Sequence, residues 1–315
     1  MARKVYDCFT FFNELDLLEL RLAELNEVVD YFVLCESTVT FQGKPKELFY
    51  NVNKERFAQY HDKIIHLIVD DMPDSDDPWA REHFQRSAIR RVFDRPATDD
   101  IIIIGDADEI VSPITVQLLK KSSGYFQINM PMYQYYINLR HSENGWSKVF
   151  AFSFDLLDKI PDFNWIRTHQ DEAFEMFPDY HFKLYNGGWH FTYLGGAERI
   201  RNKLSSFSHR EEWFQKMLHE GGIEAHVAAG YVVGNEWHLA TYCEIDNSFP
   251  TQIKDNLQKY INLGYIKNPY QALTEMQQII RNCHVSIRST HEKIKNFSYN
   301  SEEFFKSLGI STGNS

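Results

Sequence analysis

The stretch DDIIIIGDADEI, residues 99–110, sets four consecutive isoleucines directly before Asp106, Asp108 and Glu109. An unbroken apolar run reads as a strand buried on both faces, because a strand with one wet face would alternate. Strands of that kind belong to parallel sheets with helices on either side. Outward toward the N-terminus the same grammar repeats. KVYDCFTFF (4–12), YFVLCES (31–37) and IIHLIV (64–69) read as strands, and ELDLLELRLAEL (14–25) as a helix with Leu15, Leu18, Leu22 and Leu25 on one face. KERFAQYHDKI (54–64) reads as loop or helix, and PWAREHFQRSAIRRVF (78–93) as a helix. Alternating strands and amphipathic helices predict an α/β fold of the nucleotide-binding type, with ligands at the carboxyl ends of the strands.

Beyond residue 123 the pattern changes to longer aromatic segments. GYFQINMPMYQYYINL (124–139), WSKVFAFSF (146–154) and HFKLYNGGWHFTYL (181–194) predict antiparallel strands with a wet face. Helical periodicity returns in AERIRNKLSSF (197–207), REEWFQKMLHE (210–220) and YQALTEMQQIIRNC (270–283). No internal repeat or low-complexity linker divides the chain. The expected organisation is one main domain over residues 1–250 and a helical extension over 251–315 packed on it.

The 315 residues are 43% hydrophobic and 15% aromatic, ample for a large core. A net charge of −11 without a basic tract argues against a nucleic-acid partner. Cys8, Cys35, Cys243 and Cys283 show no CxxC spacing and read as reduced core thiols, which points to a cytoplasmic protein. No window approaches the roughly 20 apolar residues of a membrane span, so neither signal peptide nor anchor is expected; docking at a membrane surface stays open.

Asp106 and Asp108 stand two residues apart, and side chains at i and i+2 of a strand point the same way. Two carboxylates converging on one point suit Mn2+ or Mg2+, which takes its other ligands from substrate phosphates and water. The bland alternative is a charged strand-to-helix loop in which Asp108 or Ser112 caps a helix starting near Pro113. Three carboxylates so close together repel unless something compensates them, which favours the metal reading. A phosphohydrolase with Asp106 as nucleophile also uses an apolar run followed by DxD, but the continuation Glu109-Ile110 does not match that pattern. A carbohydrate-binding protein without turnover is a third reading, suggested by aromatic content alone.

Four blocks taken in order, YDCFTFFNELDLLELRLAEL (6–25), VVDYFVLCESTVTFQGKPKELFY (28–50), GDADEI (105–110) and GGWHFTYLGG (187–196), resemble glycosyltransferase family 17. The resemblance implies a GT-A-like, Rossmann-like fold: a mostly parallel sheet flanked by helices, with an antiparallel second half. It also implies a metal-dependent, inverting transfer of a sugar, N-acetylglucosamine from UDP-GlcNAc, to a glycan or glycoconjugate hydroxyl with β-linkage. On that basis Asp106 and Asp108 match the DxD and hold the metal against the donor diphosphate. Glu36 and Ser37, at a strand end, are candidates for the uridine, and Arg86 for the diphosphate or donor sugar. Glu109 reads as a water-mediated or supporting contact. Trp189 offers a stacking face, His190 a metal ligand or acceptor contact, and His209 an alternative ligand. Glu198, at the start of a helix, is the first candidate base, Asp171 and Glu172 are its competitors, and Lys203 could meet a phosphate.

Overall fold

The computed structural model describes residues 3–93, 97, 99–141, 145–206, 223–224, 227, 231–232, 235–272 and 274–275. In chain order the strands are β1 (Val5–Phe11), β2 (Tyr31–Ser37), β3 (Ile64–Val69), β4 (Ile101–Asp106), β5 (Glu109–Val111), β6 (Tyr125–Met130), β7 (Met132–Gln134), β8 (Leu139–Arg140), β9 (Trp146–Ser153), β10 (His181–Leu184), β11 (Gly188–Thr192), β12 (Tyr231–Val232), β13 (Asn235–Leu239) and β14 (Thr241–Tyr242). The helices are α1 (Leu15–Leu25), α2 (Phe49–Asn53), α3 (Pro78–Ala88), α4 (Pro113–Lys120), α5 (Trp165–Thr168), α6 (Gln170–Met176), α7 (Gly196–Ser206), α8 (Thr251–Asp255) and α9 (Leu257–Asn262).

Among the described residues, seven strands form the central sheet in the order β10-β6-β9-β4-β1-β2-β3. β4, β1, β2 and β3 run parallel, β9 lies antiparallel between β4 and β6, and β10 runs parallel to β6. The result is the mostly parallel sheet of an α/β fold, as expected. A smaller sheet, β14-β8-β7-β11-β5, stands beside the end of β4.

The isoleucine run follows from this layering. Ile101 and Ile103 pack with Phe9, Phe32 and the leucines of α1 on one face. Ile102 and Ile104 pack with Cys8, Val33, Cys35 and Ile89 on the other. All four are fully buried, so the strand has no wet side to alternate with. Each such side chain contributes about 1.5–3 kcal/mol through burial. Of the second-half strands expected to have a wet face, the edge strand β10 is half-exposed, whereas β6, β9 and β11 are mostly buried.

α1 buries Leu18, Leu22 and Leu25 as its periodicity requires, together with Leu17, Leu20 and Arg21. Arg21 finds Asp7 of β1 at 2.6 Å, and both side chains are fully buried. α3 starts at Pro78, with Asp77 accepting a hydrogen bond from the Trp79 amide at 3.0 Å. Ser112 caps α4 by accepting from the Thr115 amide at 3.3 Å, so the capping expectation and a functional turn before it coexist.

One compact unit spans Met1–Pro269, so α8 and α9, which open the stretch expected as an extension, belong to it. The described part of the second unit, residues 270–272 and 274–275, is helical. REEWFQKMLHE, most of YQALTEMQQIIRNC, Cys283 and His209 lie outside the described residues. Among the described residues, no helix is long and apolar enough to cross a membrane.

Candidate active site

The register of the sheet sets Thr10 of β1 level with Asp106 of β4, and Glu36 of β2 level with Phe11. The carboxyl ends of these strands therefore open at one height, and a cavity of about 640 Å3 lies there. The chain turns at its floor: Asp106 closes β4, and Glu109 opens β5. Asp106 and Asp108 both line the cavity.

Each carboxylate has its own cations. On Asp106, Oδ1 accepts from Thr10 Oγ1 at 2.8 Å and Arg86 Nη2 at 2.9 Å, and Oδ2 accepts from Arg167 Nη2 at 2.8 Å. Asp108 Oδ2 accepts from Lys203 Nζ at 2.7 Å, and its Oδ1 stands 3.7 Å from His190 Nε2. Glu109 is fully buried beneath them. It accepts two hydrogen bonds from Arg167, at 3.0 and 3.1 Å, one from the Asp106 amide at 2.7 Å and one from the Trp146 indole. Gly105 leaves room for this: a Cβ there would stand 3.0 Å from Glu109 Oε2.

Burial alone would push both aspartates toward the neutral acid. Arg167 and Arg86 outweigh it at Asp106, and Lys203 and His190 outweigh it at Asp108, so both carboxyls stay well below the usual range. Lys148 and Lys46 show the reverse. Burial lowers the pKa of both, and for Lys148 the neighbouring Arg167 lowers it further. A half-buried cation beside another cation, as Lys148 is, is what an anionic ligand would satisfy.

Of the residues singled out from sequence, Ser37, Arg86, Asp106, Asp108, His190 and Lys203 line the cavity. Glu36 does not. Its carboxylate is fully buried and faces away, taken by His66 at 3.0 Å, Lys46 at 3.4 Å and the Tyr50 amide. Trp189 is also a correction. The strand pleat turns His190 and Thr192 into the cavity and Trp189 and Phe191 into the core, where the Trp189 indole donates to the Ser248 carbonyl at 2.7 Å. The glycines before it serve strand packing rather than a ligand, since a Cβ on Gly188 would stand 2.1 Å from the Ile110 carbonyl oxygen. Glu198, Asp171 and Glu172 are exposed on α7 and α6 and do not line the cavity. α7 instead presents Lys203 inward and sends Arg199 to Asp16 of α1. Glu14, just before α1, makes no cap bond to that helix; it accepts from the Phe12 and Asn13 amides and borders the cavity.

Sequence reasoning missed Arg167, Trp146, Lys148 and Thr10. The one local signal for Arg167 is its setting in NWIRT, a charge among apolar neighbours that a surface arginine would not need.

Among the described residues, no three His, Cys, Asp or Glu side chains gather closely enough to hold a metal by themselves. Asp106 and Asp108 fit the other kind of site, in which one or two carboxylates share the ion with ligand phosphates and water. His190 is the nearest further donor, and its Nδ1 is buried without a hydrogen-bond partner.

Fold and cavity together define an α/β protein with a mostly parallel central sheet and two carboxylates at the mouth of its central strand. The pattern of glycosyltransferase family 17 matches residues 1–235, and the chain belongs to that family. The β-1,4-mannosyl-glycoprotein 4-β-N-acetylglucosaminyltransferase of Homo sapiens is 26% identical over 311 residues, covering 86% of this chain and 56% of the relative. Its Rattus norvegicus counterpart is 27% identical over 239 residues, covering 65% of this chain and 43% of the relative. The chain thus spans about half the length of the curated relatives it matches. Among solved structures, glucosyl-3-phosphoglycerate synthase from Mycobacterium tuberculosis aligns with a TM-score of 0.36 and 12% identity over 80% of this chain and 92% of that chain, a likeness too slight to bear on the site.

Proposed function

We propose that the chain is a metal-dependent inverting glycosyltransferase that moves N-acetylglucosamine from UDP-GlcNAc to a glycan hydroxyl, forming a β-linkage. The observation that carries this reading is the pair Asp106 and Asp108, fixed at the carboxyl end of the central parallel strand inside a cavity lined by Arg86, Arg167, Lys203 and Lys148. Family membership supports transfer of a sugar, and the names of the relatives support N-acetylglucosamine.

Asp106 and Asp108, with His190 beside them, would hold the divalent ion, which supplies positive charge to the donor diphosphate as the leaving nucleotide gains negative charge. The chain's own residues do the rest. Ser37 and Thr10 offer hydroxyls at the strand ends, Arg86 and Lys148 offer donors to phosphate oxygens, and the walls keep water from the anomeric carbon. Inversion needs a proton acceptor facing the acceptor hydroxyl from inside this cavity. The phosphohydrolase reading has less to stand on, because family membership supports transfer of a sugar and the continuation Glu109-Ile110 does not match the phosphohydrolase pattern.

The test is calorimetric titration of UDP-GlcNAc with and without Mn2+, followed by mass analysis of a glycan acceptor incubated with both. Binding that needs Mn2+, is lost in Asp108→Asn, and accompanies a mass gain of one N-acetylhexosamine is the expected result. Failure to bind any UDP-sugar, or release of phosphate from an aryl phosphate, sinks the reading.

A further inference from the structure

The turn that carries the aspartates is gripped from two sides, and only the cavity side belongs to the account given so far. From behind, inside the core, Arg21 Nη1 donates to the backbone carbonyls of Asp106 at 2.9 Å and Glu109 at 2.8 Å, with that of Ala107 at 3.4 Å. The rest of the guanidinium is taken by Asp7 in a two-pronged contact, Nε to Oδ2 at 2.7 Å and Nη2 to Oδ1 at 2.6 Å. The Phe9 ring lies 4.3 Å beneath it. Arg21 and Asp7 are both fully buried.

We infer that Arg21, held by Asp7, is a positioning residue that aims Asp106 and Asp108 into the cavity by fixing the peptide planes of their turn; this rests on the function proposed above. A buried ion pair is a poor device for stability alone, since apolar side chains of similar volume commonly serve as well. What leucine or methionine could not do is satisfy carbonyls that point into the core. One guanidinium nitrogen reaches the first and last residues of a four-residue turn, so the carbonyls are drawn inward and the side chains of Asp106 and Asp108 are left facing out. The cavity-side cations differ in kind. Arg86, Arg167 and Lys203 hold carboxylate oxygens of the turn, the atoms a metal or donor would need, whereas Arg21 holds the turn by its backbone carbonyls alone. It therefore keeps its grip when a ligand enters.

The experiment compares Arg21→Met with the double variant Asp7→Leu/Arg21→Met. Removing arginine alone leaves Asp7 charged and buried, so the single variant should be markedly unstable, and the double variant should recover much of that stability. Affinity for Mn2+ with UDP-GlcNAc should not recover with it. It should stay about 10- to 100-fold below wild type in both, the range seen when a group supporting a metal ligand is lost. A second readout does not depend on the reaction: the Trp146 indole donates to Glu109, so its 1H–15N resonance reports the turn. That resonance should move or broaden in the double variant, whose other core resonances stay in place. An unmoved indole signal, or binding restored along with stability, overturns the inference. Should wild type bind no UDP-sugar, the proposed function fails, and the indole signal still decides whether Arg21 positions the turn.

Discussion

The segment from β1 to β4 and the segment from β5 to α7 meet at the turn Asp106–Glu109 and bring different things to it. The first supplies parallel strands packed on both faces, with the two aspartates at the end of the innermost one. The second supplies charge and closure. Arg167 comes from the four-residue helix α5, Lys203 from α7 and His190 from β11. The difference teaches how the site divides its labour: the anionic end is set by the core of the first segment, and most of the positive groups that offset it come from the second, with Arg86 of α3 the exception.

Arg167→Met gives the sharpest break. It leaves Glu109 buried without its cation and takes one partner from Asp106, and removing one side of a buried pair costs about 3–5 kcal/mol. Arg167→Lys should recover little, because one ammonium cannot repeat the fork that reaches Asp106 and Glu109 together. Urea unfolding measures the loss, and a change below about 1 kcal/mol would show that the second segment is dispensable to the turn.

Gly188→Ala strikes the seam between the segments, where β11 pairs with β5. The added carbon would stand 2.1 Å from a backbone oxygen, which cannot rotate away, so the strands must part. Overpacking of this kind costs about 1–3 kcal/mol, read as a lowered unfolding midpoint; a midpoint equal to wild type would mean that the two strands are not tightly joined.

These two sites also mark where the sequence stops being readable. Ile101–Ile104 announce a strand buried on both faces, because that signal is local and periodic. Arg167 lies 61 residues from Asp106, and no periodicity connects them. Trp189 and His190 show the same limit at shorter range. Alternation says that they face opposite ways, but only the pairing of β11 with β5 and β7 says which faces the cavity.

A smaller effect sits on the outer tie between the segments. Asp16 of α1 accepts from Arg199 of α7 at 2.8 Å, from Arg56 at 2.7 Å and from the Tyr265 hydroxyl. Burial would raise its pKa, but Tyr265, Arg56 and Arg199 together bring it down to about 2. A carboxyl depressed in the folded state adds stability above its unfolded pKa near 3.8, and that stability is lost as pH falls through about 2. Asp16→Asn should therefore be less stable than wild type at pH 6, and the gap should close progressively below pH 4. A gap that stays constant from pH 6 to pH 2.5 would mean that the charge of Asp16 is not what holds this tie.

The smallest expected effect is the one that the position of Glu198 in the sequence would make largest. It follows Gly195-Gly196 and opens α7, where a helix dipole would keep a carboxylate ionised. Yet successive residues of a helix point about 100° apart. α7 turns Lys203 toward Asp108 and, on nearly the same side, Arg199 toward Asp16. Glu198 lies about 100° from Arg199 and about 140° from Lys203 around the helix and is exposed. Glu198→Gln should therefore keep transfer within about twofold of wild type, the change typical of a surface site. A loss of about 100-fold, with binding of UDP-GlcNAc retained, would require α7 to rotate by more than a third of a turn as the acceptor enters. The second segment would then carry the chemistry as well as the counter-charge.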